Sequence, residues 1–147
     1  MRSVSTQALS FVLDLNRAHA MVSRRFDAVL GGLHGIGLND LHLLATLDQA
    51  PGRKMRRVDL ARELGVTPSG VTWMLRPLTK RRLVASEASE EDARVAFAVL
   101  TEGGRRLVAD ALPSGRDLAR GLLDGGASKQ ELAGAAAVIA WLAQSTT

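Results

Sequence analysis

The chain has 147 residues, 46% of them hydrophobic, with a formal net charge of +4; this is the size of one domain, with enough apolar content for a core. It has no cysteine, which excludes disulfides, thiol redox sensing and thiolate metal sites. Its apolar stretches are short and broken by charges, which argues against a membrane span, and the start Met1-Arg2-Ser3-Val4 lacks a signal-peptide apolar region, so the expected location is the cytoplasm.

Phe11, Leu15, Ala18, Val22, Phe26 and Val29 recur at helical spacing. They predict a first helix over about residues 6–30, capped by Ser5 or Thr6 and ended by Gly31-Gly32. A second helix is expected over about 39–49, with Asn39 as N-cap, Leu41, Leu44, Ala45 and Leu47 inward, and Pro51-Gly52 as its stop. The basic run 53–57 reads as extended, with room for a short strand. A third helix covers 58–64 and breaks at Gly65. Thr67 then caps a fourth helix, with Pro68 at its first position, where a missing N–H costs nothing. Val71, Leu75 and Leu78 point to the core, and Pro77 should bend or loosen the second half. Segments 83–87 and 95–100 read as the strands of a β-hairpin around a polar turn at 88–93. Thr101 caps the next helix, which Pro113 and Gly115 should kink or interrupt and Gly125-Gly126 should end. Ser128 and Glu131 make a capping box for a last helix carrying Leu132, Ala136, Ile139 and Leu142. The expected fold class is mainly α, an α+β winged helix-turn-helix in the order helix-helix-strand-helix-helix-β-hairpin-helix-helix.

Charge is unevenly placed along this order. Residues 51–82 hold nine basic residues (Arg53, Lys54, Arg56, Arg57, Arg62, Arg76, Lys80, Arg81, Arg82) against Asp59 and Glu63, a net of +7, whereas 83–94 are net −3. A local basic field attracts a polyanion. Two short helices joined by a tight turn within that block form a helix-turn-helix, whose second helix enters the major groove. Ser69, Thr72, Trp73 and Arg76 face away from the core stripe and are the candidate reading face. Arg76 suits a bidentate contact to guanine, with a surface salt bridge as its plainer role; Thr72 suits a thymine methyl or a phosphate. Trp73 suits a sugar or a thymine methyl, with a core or dimer contact as the alternative. Arg57 and Lys80 complete the DNA-binding set. Arg94 is the one cation of the hairpin and suits a narrow minor groove. Asp92 is placed to orient it, or the two simply brace the hairpin.

No catalytic motif is present, so no enzyme activity and no cofactor are expected. The glycines at 31–37 match neither a dinucleotide loop nor a P-loop. His19, His34 and His42 form no compact ligand set, so no metal is expected. Met21, Arg25, Phe26 and His42 are candidates to line an effector pocket, but each suits core or surface better, so no ligand residue is assigned.

Six segments in order resemble the MarR family of bacterial transcriptional regulators: Gly37-Leu38-Asn39-Asp40-Leu41-His42-Leu43-Leu44, Asp59-Leu60-Ala61-Arg62-Glu63-Leu64-Gly65-Val66, Val71-Thr72-Trp73-Met74-Leu75, Leu78-Thr79-Lys80-Arg81-Arg82-Leu83-Val84, Asp92-Ala93-Arg94 and Leu100-Thr101-Glu102-Gly103-Gly104. The resemblance implies one MarR-type domain over 1–147, with the DNA-binding part at 38–100 and dimerisation helices at 5–32 and 101–145. It implies a homodimeric repressor of a palindromic site on double-stranded DNA, released by a small anionic or phenolic ligand. The chain departs from the family pattern at Trp73, Pro77, Arg82 (where glycine is usual) and in its acidic wing. The wing and Arg82 leave open a second reading, a winged module for protein interaction that has lost sequence-specific DNA binding. The apolar stripes of the first and last helices independently favour a dimer, because a small winged domain cannot bury both.

Overall fold

The computed structural model describes residues 4–145. Among them are six helices, α1 (Val4–His34), α2 (Leu38–Gln49), α3 (Arg57–Leu64), α4 (Pro68–Lys80), α5 (Glu102–Leu123) and α6 (Lys129–Ser145). Three strands, β1 (Lys54–Arg56), β2 (Val84–Ala88) and β3 (Ala96–Leu100), form an antiparallel sheet in the order β1-β3-β2. The fold is the expected mainly helical winged helix. The basic run after Pro51 does form a strand, with Met55 opposite Ala98 across the ladder.

The winged half is closed around α2. Leu43, Leu44 and Leu47 are fully buried and meet Leu60 of α3, Val71, Leu75 and Leu78 of α4, and Ala98 and Leu100 of β3. A smaller cluster joins Phe26, Leu30 and Ile36 to Leu41 and to Ala111 of α5. Gly104 fixes the approach of α5 to the sheet: a Cβ there would run into the Leu83 carbonyl oxygen. Thr101 accepts from the Gly104 N–H at 3.0 Å as the expected cap, and its hydroxyl also meets the Arg82 and Leu83 carbonyls.

Three local expectations are corrected. First, α1 runs through Gly31-Gly32 to His34. In the added turn, His34 Nε2 lies 2.8 Å from Ser114 Oγ of α5, and Ile36 just past it is buried. The helix stops instead at Gly35, at φ +68°, a conformation that favours glycine. Second, Asn39 does not cap α2; Gly37 occupies that position. The first amides are held by carboxylates, the Gly37 N–H by Asp40 at 2.9 Å and the Leu38 N–H by Asp27 of α1 at 2.8 Å, where negative charge complements the helix dipole. Third, Pro113 and Gly115 do not interrupt α5, which is continuous for 22 residues. Gly115 is there for packing, since a Cβ would lie 3.1 Å from the Leu41 side chain. As expected, the stripe of Leu132, Ala136 and Ile139 on α6 is left uncovered by its own chain, and α6 has no buried residue. The polar hairpin turn is also shifted, lying at 89–95 between β2 and β3. Pro77 lies inside α4 without ending it; Leu75 and Leu78, buried on either side of it, tie that turn to the core.

No helix among the described residues is long and apolar enough to cross a membrane.

Candidate nucleic-acid interface

Helix α4 is set by its two ends. Thr67 Oγ1 accepts from the Gly70 N–H at 3.1 Å and Pro68 holds the first turn, as the sequence predicts. At the far end, the Arg82 N–H donates to the Thr79 carbonyl and the Leu83 N–H to the Leu78 carbonyl, both at 3.0 Å. That is a Schellman cap, with Arg82 in the left-handed region at φ +58°. Arginine therefore keeps the turn that glycine would make, at a cost of about 1–2 kcal/mol. Arg81 reaches back from this cap and donates to the Gly35 carbonyl at 2.6 Å, so the end of α4 grips the end of α1.

Ser69, Thr72, Trp73 and Arg76 share the exposed side of α4, opposite the buried Val71, Leu75 and Leu78. Their freedom differs. Ser69 Oγ is 3.1 Å from the capping Thr67 hydroxyl, and Thr72 Oγ1 donates to the Pro68 carbonyl at 3.2 Å. Trp73 is 69% exposed, which rules out the core role for it within this chain. Arg76 lies over its ring, with Cζ 4.8 Å from the centroid, a cation–π stack. Arg76 has no ion pair, so the plainer salt-bridge role does not apply among the described residues. Lys80 is exposed on the last turn of the helix.

Arg57 is not with them. It sits half-buried at the start of α3, donating from Nη2 to Ser86 of β2 at 3.3 Å, and its Nε is buried without a partner. This arginine fastens the wing to α3.

At the wing, Asp92 and Arg94 form a two-pronged pair. Arg94 Nε donates to Oδ1 and Nη2 to Oδ2, both at 3.1 Å, and the Arg94 amide also donates to Oδ1. The Arg94 side chain remains 90% exposed, so the lock holds the guanidinium outward. Hydrogen bonds from the Arg94 side chain, and then from its amide, hold the Asp92 carboxyl below its ordinary pKa.

The basic block is partly neutralised by pairing. Arg53 binds Asp48, Lys54 binds Glu87, and Arg56 and Arg62 both bind Asp59. Among the described residues, that leaves Arg57, Arg76, Lys80, Arg81 and Arg82 of the nine without an ion pair, four of them on or just past α4. Sequence reasoning missed the roles of Arg81 and Arg82. A helix-ending position filled by a residue other than glycine was the available signal for the second.

The candidate effector residues do not converge. Phe26 is buried in the core, Met21 and Arg25 line an open cleft of about 470 Å³ on α1, and His42 lines another of about 700 Å³ with Arg62, Thr67 and Ala143 of α6. No group of three or more histidine or acidic side chains suited to a metal occurs among the described residues.

Residues 36–96 match the model of the MarR family. No curated protein sequence matches the chain significantly. Among solved structures, the chain is similar to a MarR family transcriptional regulator from Streptomyces coelicolor in complex with DNA, with a TM-score of 0.86 and 21% identity, covering 99% of this chain and 89% of that one. It is similar also to AbsC, a MarR family regulator of the same organism, with a TM-score of 0.81 and 24% identity over 98% of this chain and 95% of that one. A third, BpsR of Bordetella bronchiseptica, whose DNA binding is regulated by 6-hydroxynicotinic acid, aligns with a TM-score of 0.77 and 20% identity over 90% of this chain and 98% of that one. The winged helix-turn-helix segment 36–96 therefore matches the MarR family, and the chain shares the fold of MarR family regulators along nearly its whole length.

Proposed function

We propose that the chain is a homodimeric repressor that binds a palindromic duplex through two copies of α4 and the wing, and that a small anionic or phenolic ligand releases it. The observation that carries the dimer is the bare apolar surface of α1 and α6. Phe11 and Leu15 of α1 line a groove of about 360 Å³ with Val138 and Ile139 of α6, and Phe11 is 47% and Ile139 52% exposed. A contiguous apolar surface of this kind marks an interface, and a second copy presents the same surface to it across a two-fold. Two α4 helices on one duplex then read two half-sites.

Ser69, Thr72, Trp73 and Arg76 are assigned to base edges, Lys80 to a phosphate, and Arg94, aimed by Asp92, to the minor groove. Arg57 is assigned to bracing. The protein-interaction reading loses part of its motive, because Arg82 preserves the family's turn rather than changing it. For the ligand, the cleft beside His42 and Arg62 lies between α6 and the α3–α4 turn, where occupancy would couple the dimer helices to the reading head. BpsR, with the same fold, responds to an acidic hydroxypyridine.

A gel shift on DNA flanking the chain's own gene tests the DNA claim. Salt-dependent binding is expected, and no binding at any salt would overturn it. Adding millimolar 6-hydroxynicotinic acid probes release; the proposal expects this or a related phenolic acid to lower affinity, and none doing so would remove the ligand step.

A further inference from the structure

Trp73 is the most exposed large hydrophobic side chain among the described residues. It does not serve the core, since α4 already buries Val71, Leu75 and Leu78. It stands on the opposite side of the helix with Arg76 stacked on it at 4.8 Å. The hydroxyls beside it are engaged: Thr72 donates to Pro68 and Ser69 meets Thr67. Trp73 and Arg76 are therefore the least committed part of this face.

The chemistry of the pair is narrow. An indole face offers apolar surface and no acceptor. In the major groove the apolar group on a base edge is the 5-methyl of a pyrimidine. A guanidinium fork matches guanine O6 and N7. Trp73 and Arg76 are three residues apart, about 4.5 Å along the helix, close to the spacing of about 3.4 Å between successive bases on a strand. Stacking also fixes the plane of the guanidinium before DNA arrives, which lowers the ordering cost of its two hydrogen bonds.

We propose that Trp73 and Arg76 act as one stacked unit that reads a 5-methylpyrimidine next to a guanine, so that DNA affinity depends on the base methyl group. The methyl is supplied by thymine or by 5-methylcytosine; the recognising surface is the same. The inference rests on α4 being the reading head.

The test uses the full chain and a duplex selected from a random library, with affinity measured by fluorescence anisotropy. Replacing the contacted thymine by deoxyuridine should weaken binding about fourfold per half-site, the worth of one buried methyl. At that same position 5-methylcytosine should bind about fourfold more tightly than cytosine. Replacing the adjacent guanine by 7-deazaguanine should cost about fivefold or more. Trp73→Ala should abolish the methyl effects and Trp73→Phe should keep them. Because Trp73 is exposed, Trp73→Ala should also leave the thermal midpoint nearly unchanged. Arg76→Lys should lose the guanine preference while keeping the charge. Methyl-independent binding by the native chain, with Trp73→Ala weakening every duplex alike, would make Trp73 a sugar–phosphate contact and overturn the inference alone. Failure to bind any duplex at any salt would overturn the regulator reading with it.

Discussion

Helices α4 and α6 both carry an apolar stripe, yet they end in opposite states. The stripe of α4 is buried by its own chain, with Val71, Leu75 and Leu78 at 4% exposure or less. In α6, Ile139 and Trp141 are 52% and 64% exposed, and most of α1 before Phe26 is equally bare. Periodicity fixes which face of a helix avoids water, but not which molecule covers it. The winged half satisfies its own stripes; the terminal helices leave theirs exposed, the surface that the proposed second copy would cover.

The largest expected effect tests the self-sufficient half. Gly104→Val places side-chain atoms on the Leu83 carbonyl, and should cost about 3 kcal/mol. The thermal midpoint should fall by about 10 °C; an unchanged melt would mean α5 is not seated there. Next comes the half that lacks a partner. Ile139→Glu alters an already exposed side chain, so each chain should stay folded by circular dichroism. It should nevertheless sediment as a monomer and lose about a hundredfold or more in DNA affinity, because two linked heads bind far better than one. A dimer that persists would place the interface elsewhere.

Smaller effects sharpen the picture at the DNA face. Arg94→Ala should weaken all duplexes alike and lower the slope of log affinity against log salt by about one per wing. Asp92→Asn should weaken binding a few-fold by releasing Arg94. The Asp92 carboxyl has its pKa lowered in the folded chain, so its contribution is complete above the ordinary carboxylate range and is lost only as pH falls through the lowered value. Between pH 5 and 8 the wing lock should therefore not titrate; a change in Asp92 carboxyl chemical shift by NMR across that range would contradict it. The smallest effect is Arg82→Gly. Relief of the left-handed strain outweighs the greater freedom of glycine in the unfolded chain, for a net gain of about 0.5 kcal/mol. A loss of stability would show that the Arg82 side chain contributes contacts of its own.

Much of the fold was legible because its signals are local. Thr67-Pro68, the Val71–Leu75–Leu78 stripe, the Ser128–Glu131 box and the hairpin each announce themselves within a few residues. The misreadings share one cause. Gly31-Gly32, Asn39 and Pro113 have local preferences that distant groups override: the His34–Ser114 contact ties down the added turn of α1, Asp27 from α1 holds the start of α2, and Leu41 packs on Gly115 to carry α5 through. At the site, the reading face followed from helix geometry alone. The Arg57–Ser86 contact, the Lys54–Glu87 pair and the Arg81 grip on α1 depend on side chains far apart in sequence, and no local pattern encodes them.

The most direct test of the account is the number of chains on one selected duplex, measured by sedimentation equilibrium. Two chains per duplex are predicted, one α4 for each half-site. One chain per duplex, or no complex at low salt, would contradict it.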